Sequence, residues 1–345
     1  MEAVLIERWM SGLSPLSIID EASVSLVREE VRRQGAALAL PTDVIESMAT
    51  VVSELAHNQL AHGRRGSVAV HSITRAGVAG LEIVAVDRGD GLSDPRAALR
   101  GRDAAQSVSA GMRASLGIGV AGARELSDEM DFDIRLGEGT CVRARKFATK
   151  LPREREVGIY GRPCEGERVS GDHGAFTRAE GTLVAALADG LGHGPPAREA
   201  SHASIHAAMD GVEGALEHRL SIAHAAAAGT RGAAVAMAAI DDARAEVSCA
   251  SVGNVTVQVA RIRQTHRFGG SSATIGSAGA LPRIRVERLP LEPRDVLVMF
   301  SDGVSAKASI EQDFALLREP PIVIAQAILE RFARAHDDAL VLVVR

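Results

Sequence analysis

Aromatic side chains are nearly missing from this chain. Among 345 residues there are one tryptophan, one tyrosine and seven phenylalanines, so the interior must be filled with small aliphatic groups. Cysteine is equally scarce. Cys141, Cys164 and Cys249 are odd in number and far apart, which excludes a disulfide framework or a zinc knuckle and fits a reducing cytoplasm. Positive charge is not in excess. A formal charge of −5 argues against nucleic-acid binding through net charge, and basic pairs such as Arg64-Arg65 read as solvated surface. No apolar run approaches membrane-spanning length, and the opening M-E-A-V-L-I-E-R-W lacks the pattern of a signal peptide. The expectation is a cytoplasmic protein with no membrane and no nucleic-acid partner. Repeats and long low-complexity segments are absent as well. What remains is 46% apolar and 24% charged, the balance of a globular protein, at a length that implies two domains.

The stretch Leu183–Gly194, L-V-A-A-L-A-D-G-L-G-H-G, organises the second half. A strand-length apolar run ends at Asp189, and glycines follow at 190, 192 and 194. A carboxylate at the mouth of a buried strand, next to flexible backbone, can hold a cation with side-chain and main-chain oxygens; an ordinary strand ending in a D-G turn has the same appearance. Three further carboxylates occupy strand edges or ends. Arg168–Phe176 predicts a strand with Asp172 in V-S-G-D-H, hairpinned to Leu183–Ala188 through a turn at Ala179-Glu180-Gly181 that brings Asp172 toward Asp189. Asp295–Phe300 is a buried strand ending in Ser301-Asp302-Gly303. His336-Asp337-Asp338 leads into the closing strand Ala339–Val344. Bare aspartates gathered in a buried cluster repel, so divalent cations account for the set, and all-oxygen ligands favour Mg2+ or Mn2+ over zinc. Pro195-Pro196 starts a helix on which His202 and His206 stand four apart; without a third ligand placed by spacing, they read as structural. Ala233–Ile240, Ala245–Ser251 and Val255–Ile262 read as successive antiparallel strands, with a helix near Ile322–Ala335.

In the first half, Val4 and Ile6 hint at an opening strand. Asp20 to Gln34 predicts a helix stopped by Gly35. Pro41-Thr42-Asp43 begins another, with Asp43 and Glu46 at capping-box spacing. Glu54, Asn58 and His62 share one side of that helix. The amide oxygen of Asn58 can ligate Mg2+ and the Glu54 carboxylate can orient or deprotonate an attacking hydroxyl; a plain polar helix face is the alternative. The strand Leu81–Val86 ends at Asp87-Arg88-Gly89-Asp90-Gly91, which places Asp87 to accept from a ligand amino group, with Gly89 and Gly91 allowing close backbone approach. A polar stretch Arg100–Ser115, suited to a lid, precedes Gly117-Ile118-Gly119 and a helix to about Met130, whose first N–H groups suit phosphate. Asp131–Leu136 and Thr140–Phe147 form a hairpin. The segment 148–156 is charged and breaks periodicity, as a linker does.

Taken in order, E-x-x-x-N, D-x-G-x-G, G-x-G and G-x-G-T resemble the GHKL ATPase superfamily. V-V-S-E-L-A-H-N-Q-L-A-H-G and G-E-G-T-C-V-R-A-R-K-F are similar to its small serine/threonine switch kinases RsbT and RsbW. The resemblance covers about residues 16–147. It implies Asn58 as Mg2+ ligand, Glu54 as catalytic carboxylate and Asp87 as the acid contacting adenine. Gly89 and Gly91 would flank the base, Gly117 and Gly119 the phosphates, and Thr140 the adenine. Ala114-Ser115 stand where relatives carry more glycine. From about 157 onward, V-S-G-D-H, A-L-A-D-G-L-G-H-G, V-M-F-S-D-G-V and D-D-A-L-V-L-V resemble the metal-dependent PPM phosphatases of the SpoIIE and RsbX branch. That implies Asp189 bridging two ions beside the Gly190 carbonyl, Asp172 on one ion, and Asp302 with Asp337, or else Asp338, on the other.

The expected fold is α+β. A GHKL (Bergerat) ATP-binding α/β sandwich over 1–147 and a linker over 148–156 precede a PPM-type β-sandwich flanked by helices over 157–345. The implied function is a bifunctional partner-switching regulator. An ATP- and Mg2+-dependent serine/threonine kinase would be joined to a phosphatase using two Mn2+ or Mg2+, acting on STAS-domain proteins, with a sigma factor or a downstream phosphatase as further partners. The alternatives are a phosphatase with a nucleotide-sensing, non-kinase domain, motivated by Ala114-Ser115, and an anti-sigma binding module.

Overall fold

Asp20 starts the first helix. Its carboxylate accepts the Ser23 N–H at 2.8 Å, while the Ser23 hydroxyl oxygen accepts the Asp20 N–H at 3.1 Å, so two orphan donors are satisfied reciprocally. Helix α1 runs Glu21–Ala37 and passes through Gly35 rather than stopping there. The bare Cα of Gly35 lies against Ile45, where a Cβ would come within 2.6 Å of Cγ1, so the glycine serves helix packing. Helix α2, Thr42–His62, has Pro41 at its N-cap and no side-chain cap. The Asp43/Glu46 capping box is therefore not formed; Glu46 takes a two-bond grip from Arg32 of α1 instead, at 2.9 and 2.8 Å. Val24, Val27 and Val31 of α1 and Met48, Val52 and Leu55 of α2 are buried, as their helical spacing requires.

The computed structural model describes residues 9–101, 119–179, 181–210, 214–281 and 283–345, and the chain divides into two units, Met1–Glu156 and Val157–Arg345. The Val4–Ile6 strand, the lid residues 102–115 with Ala114 and Ser115, Gly117 and Glu180 lie outside the described residues. Among the described residues, no helix is long and apolar enough to cross a membrane.

In the first unit, β1 (Leu16–Ile18), β2 (Gly66–Arg75), β3 (Val78–Val86), β4 (Glu129–Arg135) and β5 (Gly139–Phe147) form an antiparallel sheet in the order β1-β2-β3-β5-β4. Helix α2 packs on β2, β3 and β5. Short α3 (Pro95–Leu99) follows the Asp87 loop, and α4 (Gly119–Leu126) ends before Met130, which belongs to β4. The stretch 148–156 has neither helix nor strand. It is tied along β4, with Glu154 N–H donating to Glu129 at 2.9 Å and Glu156 accepting Met130 N–H at 3.0 Å.

The second unit is a two-sheet sandwich. One sheet orders β6 (Val157–Arg162), β15 (Ala339–Val344), β14 (Val296–Phe300), β11 (Thr256–Arg261) and β12 (Gln264–Arg267). The other orders β13 (Glu287–Pro290), β10 (Glu246–Val252), β9 (Ala233–Asp241), β8 (Thr182–Gly190) and β7 (Asp172–Ala179). Consecutive β10 and β11 do not pair: the chain changes sheets at Gly253-Asn254, contrary to the expectation of three successive paired strands. Helix α5 (Gly194–Met209) packs on β7, β8 and β9, with α6 (Leu216–Ala226) beside it, and α7 (Pro321–Phe332) covers β6 and β15. The core between α5, α6 and the sheet is built largely of alanine, including Ala186, Ala188, Ala200 and Ala208, so the helices approach the strands closely.

Candidate active sites

The second-unit site grows from strand register. Asp172 opens β7 and Asp189 nearly closes β8, and the two are direct cross-strand partners. Close packing then bends the neighbouring segments inward. A Cβ on Gly190 would overlap the Ala197 carbonyl at the start of α5, and one on Gly303 would overlap the Asp338 carbonyl, so only glycine lets the Asp302 turn reach the segment just before β15 that carries Asp337. Asp302 presents its N–H to Asp189 Oδ2 at a long 3.5 Å, and its carboxyl group lies within hydrogen-bonding reach of those of Asp189 and Asp337.

Electrostatics follow from that crowding. Burial, then the charge of Asp189, pushes Asp172 well above the usual carboxylate range. Burial, then Asp302, pushes Asp189 up to about 8, and burial, then Asp302, raises Asp337. Asp172 is 2% exposed. It receives a hydrogen bond from the Ser301 hydroxyl, yet its Oδ2 has no partner. A buried acceptor left unsatisfied among acids that resist ionising fits a divalent cation, which would satisfy the orphan oxygen and stabilise the ionised forms together. All donors are oxygens, which suits Mg2+ or Mn2+. Among the described residues, no three acidic, histidine or cysteine groups already form a closed metal cage.

Asp337 and Asp338 part company. Asp338 is 3% exposed, and its two oxygens accept the Cys164 and Gly171 N–H groups, each at 2.7 Å. It braces the backbone before Asp172. Asp337, more open, is the one that faces Asp302. The His202 and His206 rings stand 5.4 Å apart, with buried His173 5.5 Å from His202, and His206 pairs with Asp210.

In the first unit, Glu54 is 1% exposed and its Oε2 accepts the Gly119 N–H at 3.1 Å, so α2 is bonded to the start of α4. Asn58 lies one turn on, half-buried. Asp87 packs against the end of the same helix, since a Cβ on Gly63 would stand 3.0 Å from Asp87 Cβ. Burial raises the Asp87 pKa, opposed by its hydrogen bonds to the backbone of Gly89 and Thr140 and by His62. Thr140 ties the Asp87 loop to β5: its carbonyl accepts the Asp87 N–H at 3.0 Å and its hydroxyl oxygen accepts Leu92 N–H at 3.2 Å. Gly89 and Gly91 make their close approaches to the protein's own backbone, at the His62 and Arg135 carbonyls. Glu54, Asn58, Asp87, Thr140 and Gly119 are thus brought to one region.

Residues 19–146 match the family model described as histidine kinase-like ATPase domain, and residues 179–345 match that of stage II sporulation protein E (SpoIIE). Over 138 residues, 40% of this chain, the sequence is 30% identical to the serine/threonine-protein kinase RsbT of Bacillus subtilis strain 168, spanning 98% of that protein. The chain belongs to the RsbT family and carries a SpoIIE-type PP2C phosphatase domain after it. Among solved structures, a chain from "The bacterial stressosome: a modular system that has been adapted to control secondary messenger signaling" is 28% identical with a TM-score of 0.52, covering 56% of this chain and 100% of that one. RsbX in complex with magnesium is 20% identical with a TM-score of 0.49, covering 56% and 96%.

Within the SpoIIE-type domain, several contributors escaped the sequence. Ser301 accepts Leu340 N–H at 3.0 Å and donates a hydrogen bond to Asp172, so it fixes that carboxylate against the start of β15. Asn254 donates to Asp302 Oδ2 at 2.7 Å. Ser301 was signalled only by its place beside Asp302. Asn254 looked like any turn residue.

Proposed function

We propose that this chain is a bifunctional partner switch. Its RsbT-type unit transfers the γ-phosphoryl group of ATP to a serine or threonine of a STAS-domain protein, and its SpoIIE-type unit hydrolyses the resulting phosphoester. The observation that carries the reading is the Asp172–Asp189 pair, buried, mutually repelling and with one oxygen unsatisfied, in a family whose fold implies divalent ions. The STAS assignment rests on likeness to RsbT and to the stressosome chain. A sigma factor or downstream phosphatase as further partner, and a cytoplasmic setting, belong to the same reading.

In the first unit, Asn58 would hold Mg2+, Asp87 would accept from the adenine amino group beside Gly89, Gly91 and Thr140, and Gly117 and Gly119 would face the phosphates. The partner hydroxyl forms the new O–P bond as the β–γ bridge breaks, and Glu54 takes its proton. In the second unit, Asp172, Asp189, the Gly190 carbonyl, Asp302 and Asp337 would hold two Mn2+ or Mg2+, with Asp189 shared. Bound there, the ions supply charge that activates water and offsets negative charge on the phosphoryl group. Ser301 and Asn254 orient Asp172 and Asp302, and Asp338 holds the backbone that carries Asp172.

The test uses the full-length chain, a STAS-domain partner identified by pull-down from native cytoplasm, and γ-labelled ATP. Label should move to the partner with Mg2+ and leave it when ATP is removed and Mn2+ added. Failure of label to reach the partner, while partner phosphorylated beforehand by other means still loses its phosphate with Mn2+, would reduce the first unit to a nucleotide sensor.

A further inference from the structure

The loop that follows Asp189 passes beside the guanidinium of Arg231. Gly190 pairs in register with Ala233, so the residues just before β9 run alongside those just after β8. Leu191 N–H donates to the Gly232 carbonyl at 3.0 Å and locks the two turns together. Arg231 is the next residue back. Its Nη1 stands 3.0 Å from the point where a Cβ on Gly192 would be, and Gly192 has φ +86, so the loop bends past the guanidinium at a position without a side chain. Arg231 is exposed and has no hydrogen-bond or ion-pair acceptor among the described residues. Arg162 differs: it spends its donors on the carbonyls of Pro163, Asp337 and Arg334.

We propose that Arg231 is the phosphate-positioning residue of the SpoIIE-type site, and that Leu191 beside it, 45% exposed, touches an apolar residue flanking the phosphorylated side chain. This rests on the phosphatase reading above. A phosphomonoester brings two negative charges and planar pairs of oxygens, which a guanidinium fork matches with two parallel hydrogen bonds. Placed among the aspartates, the arginine would be neutralised by them. Placed beside Gly192, on the segment that pairs with the loop after Asp189, it stays free to bind an incoming oxyanion.

The experiment measures binding of inorganic phosphate to the Mn2+-loaded full-length chain by calorimetry, for wild type, Arg231→Ala and Arg231→Lys. Mn2+ binding and circular dichroism are recorded for each. Arg231→Ala should weaken phosphate binding roughly tenfold, the loss of a charged hydrogen bond. Arg231→Lys should fall between, because an ammonium keeps the charge and loses the fork. Mn2+ affinity should not change. With a phosphorylated STAS substrate, KM should rise while kcat moves little, and Leu191→Ala should raise KM for that substrate but not for p-nitrophenyl phosphate. Wild-type phosphate affinity in Arg231→Ala, a parallel loss of Mn2+ affinity, or no phosphate binding by the loaded wild type overturns the proposal. A wild type that binds phosphate through Arg231 yet hydrolyses no phosphoprotein sinks the phosphatase reading instead. Should Arg231→Ala fail to fold, the lysine variant and Arg231→Gln decide by the same titration.

Discussion

Without metal, the second unit should lose stability as pH rises, and Asp189→Asn should remove the share of that loss that Asp189 carries. In the folded protein Asp189 is pushed from an ordinary 3.8 to about 8, by burial first and by Asp302 second. A carboxyl group raised in this way keeps its proton in the native state at pH values where the unfolded chain has released it. Its contribution is complete below the ordinary value and declines as pH climbs toward the folded one, at about 1.4 kcal/mol per unit. Between about pH 5 and pH 7 that amounts to roughly 2.7 kcal/mol at full strength. Asp189 is partly open to solvent and shares its titration with Asp172, so about 1.5–2 kcal/mol is expected, or about 3–8 °C in Tm for a unit of this size. Thermal unfolding of the full-length chain in chelator provides the measurement. The only tyrosine, Tyr160, is buried in β6, and the only tryptophan, Trp9, lies in the first unit, so their absorbance and emission report the two units separately. From pH 5 to pH 7 the tyrosine-reported transition should fall further in wild type than in Asp189→Asn, and Mn2+ at pH 7 should restore only wild type. The same pH dependence in both proteins would refute the reasoning, because the neighbouring acids are common to the two.

Asn58→Ala should abolish phosphoryl transfer from ATP and leave dephosphorylation nearly unchanged; equal loss of both would mean that the two activities are coupled. Asp87→Asn places a donor where the adenine amino group needs an acceptor, so ATP affinity should drop roughly tenfold to a hundredfold by calorimetry, and unchanged affinity would remove Asp87 from the adenine site. Asp338→Asn turns one acceptor of two buried N–H groups into a donor. It should cost about 1–3 kcal/mol in denaturant unfolding with Mn2+ affinity largely kept, whereas Asp337→Asn should spare the fold and weaken Mn2+ binding. The reverse pattern would exchange the roles of the two aspartates.

The fold was legible wherever burial writes itself into a run. The closing strand Ala339–Val344 is buried along its whole length and was read with its observed bounds, and β8 and β14 were read within two residues. Partner choice was not legible. β10 and β11 carry similar apolar strands on either side of Gly253-Asn254, so they read as neighbours. Only the long-range pairing of β11 with β14 and of β10 with β13 sends them to different sheets. Capping failed for a related reason. D-x-x-E spacing at Asp43 is genuine, but Pro41 occupies the cap, and Arg32 on another helix makes the better offer to Glu46.

At the site, the aspartates could be read because each interrupts or terminates an apolar strand, which is costly without a reason. Their supports could not. Asn254 meets Asp302 across 48 residues, and Asp189 hears from Asp302 across 113. Arg231 reaches Gly192 only because β8 and β9 pair in one register. Asp337 against Asp338 shows where the limit falls. The two stand side by side just before β15 begins at Ala339, and either carboxyl group is within a residue of the Asp302 turn's reach. Position alone does not say which faces it. The answer lies in the backbone of Cys164 and Gly171, more than 160 residues upstream, whose N–H groups claim both oxygens of Asp338 and leave Asp337 to face Asp302. The backbone thus commits Asp338 to the fold, while the carboxyl group of Asp337 keeps its face toward Asp302.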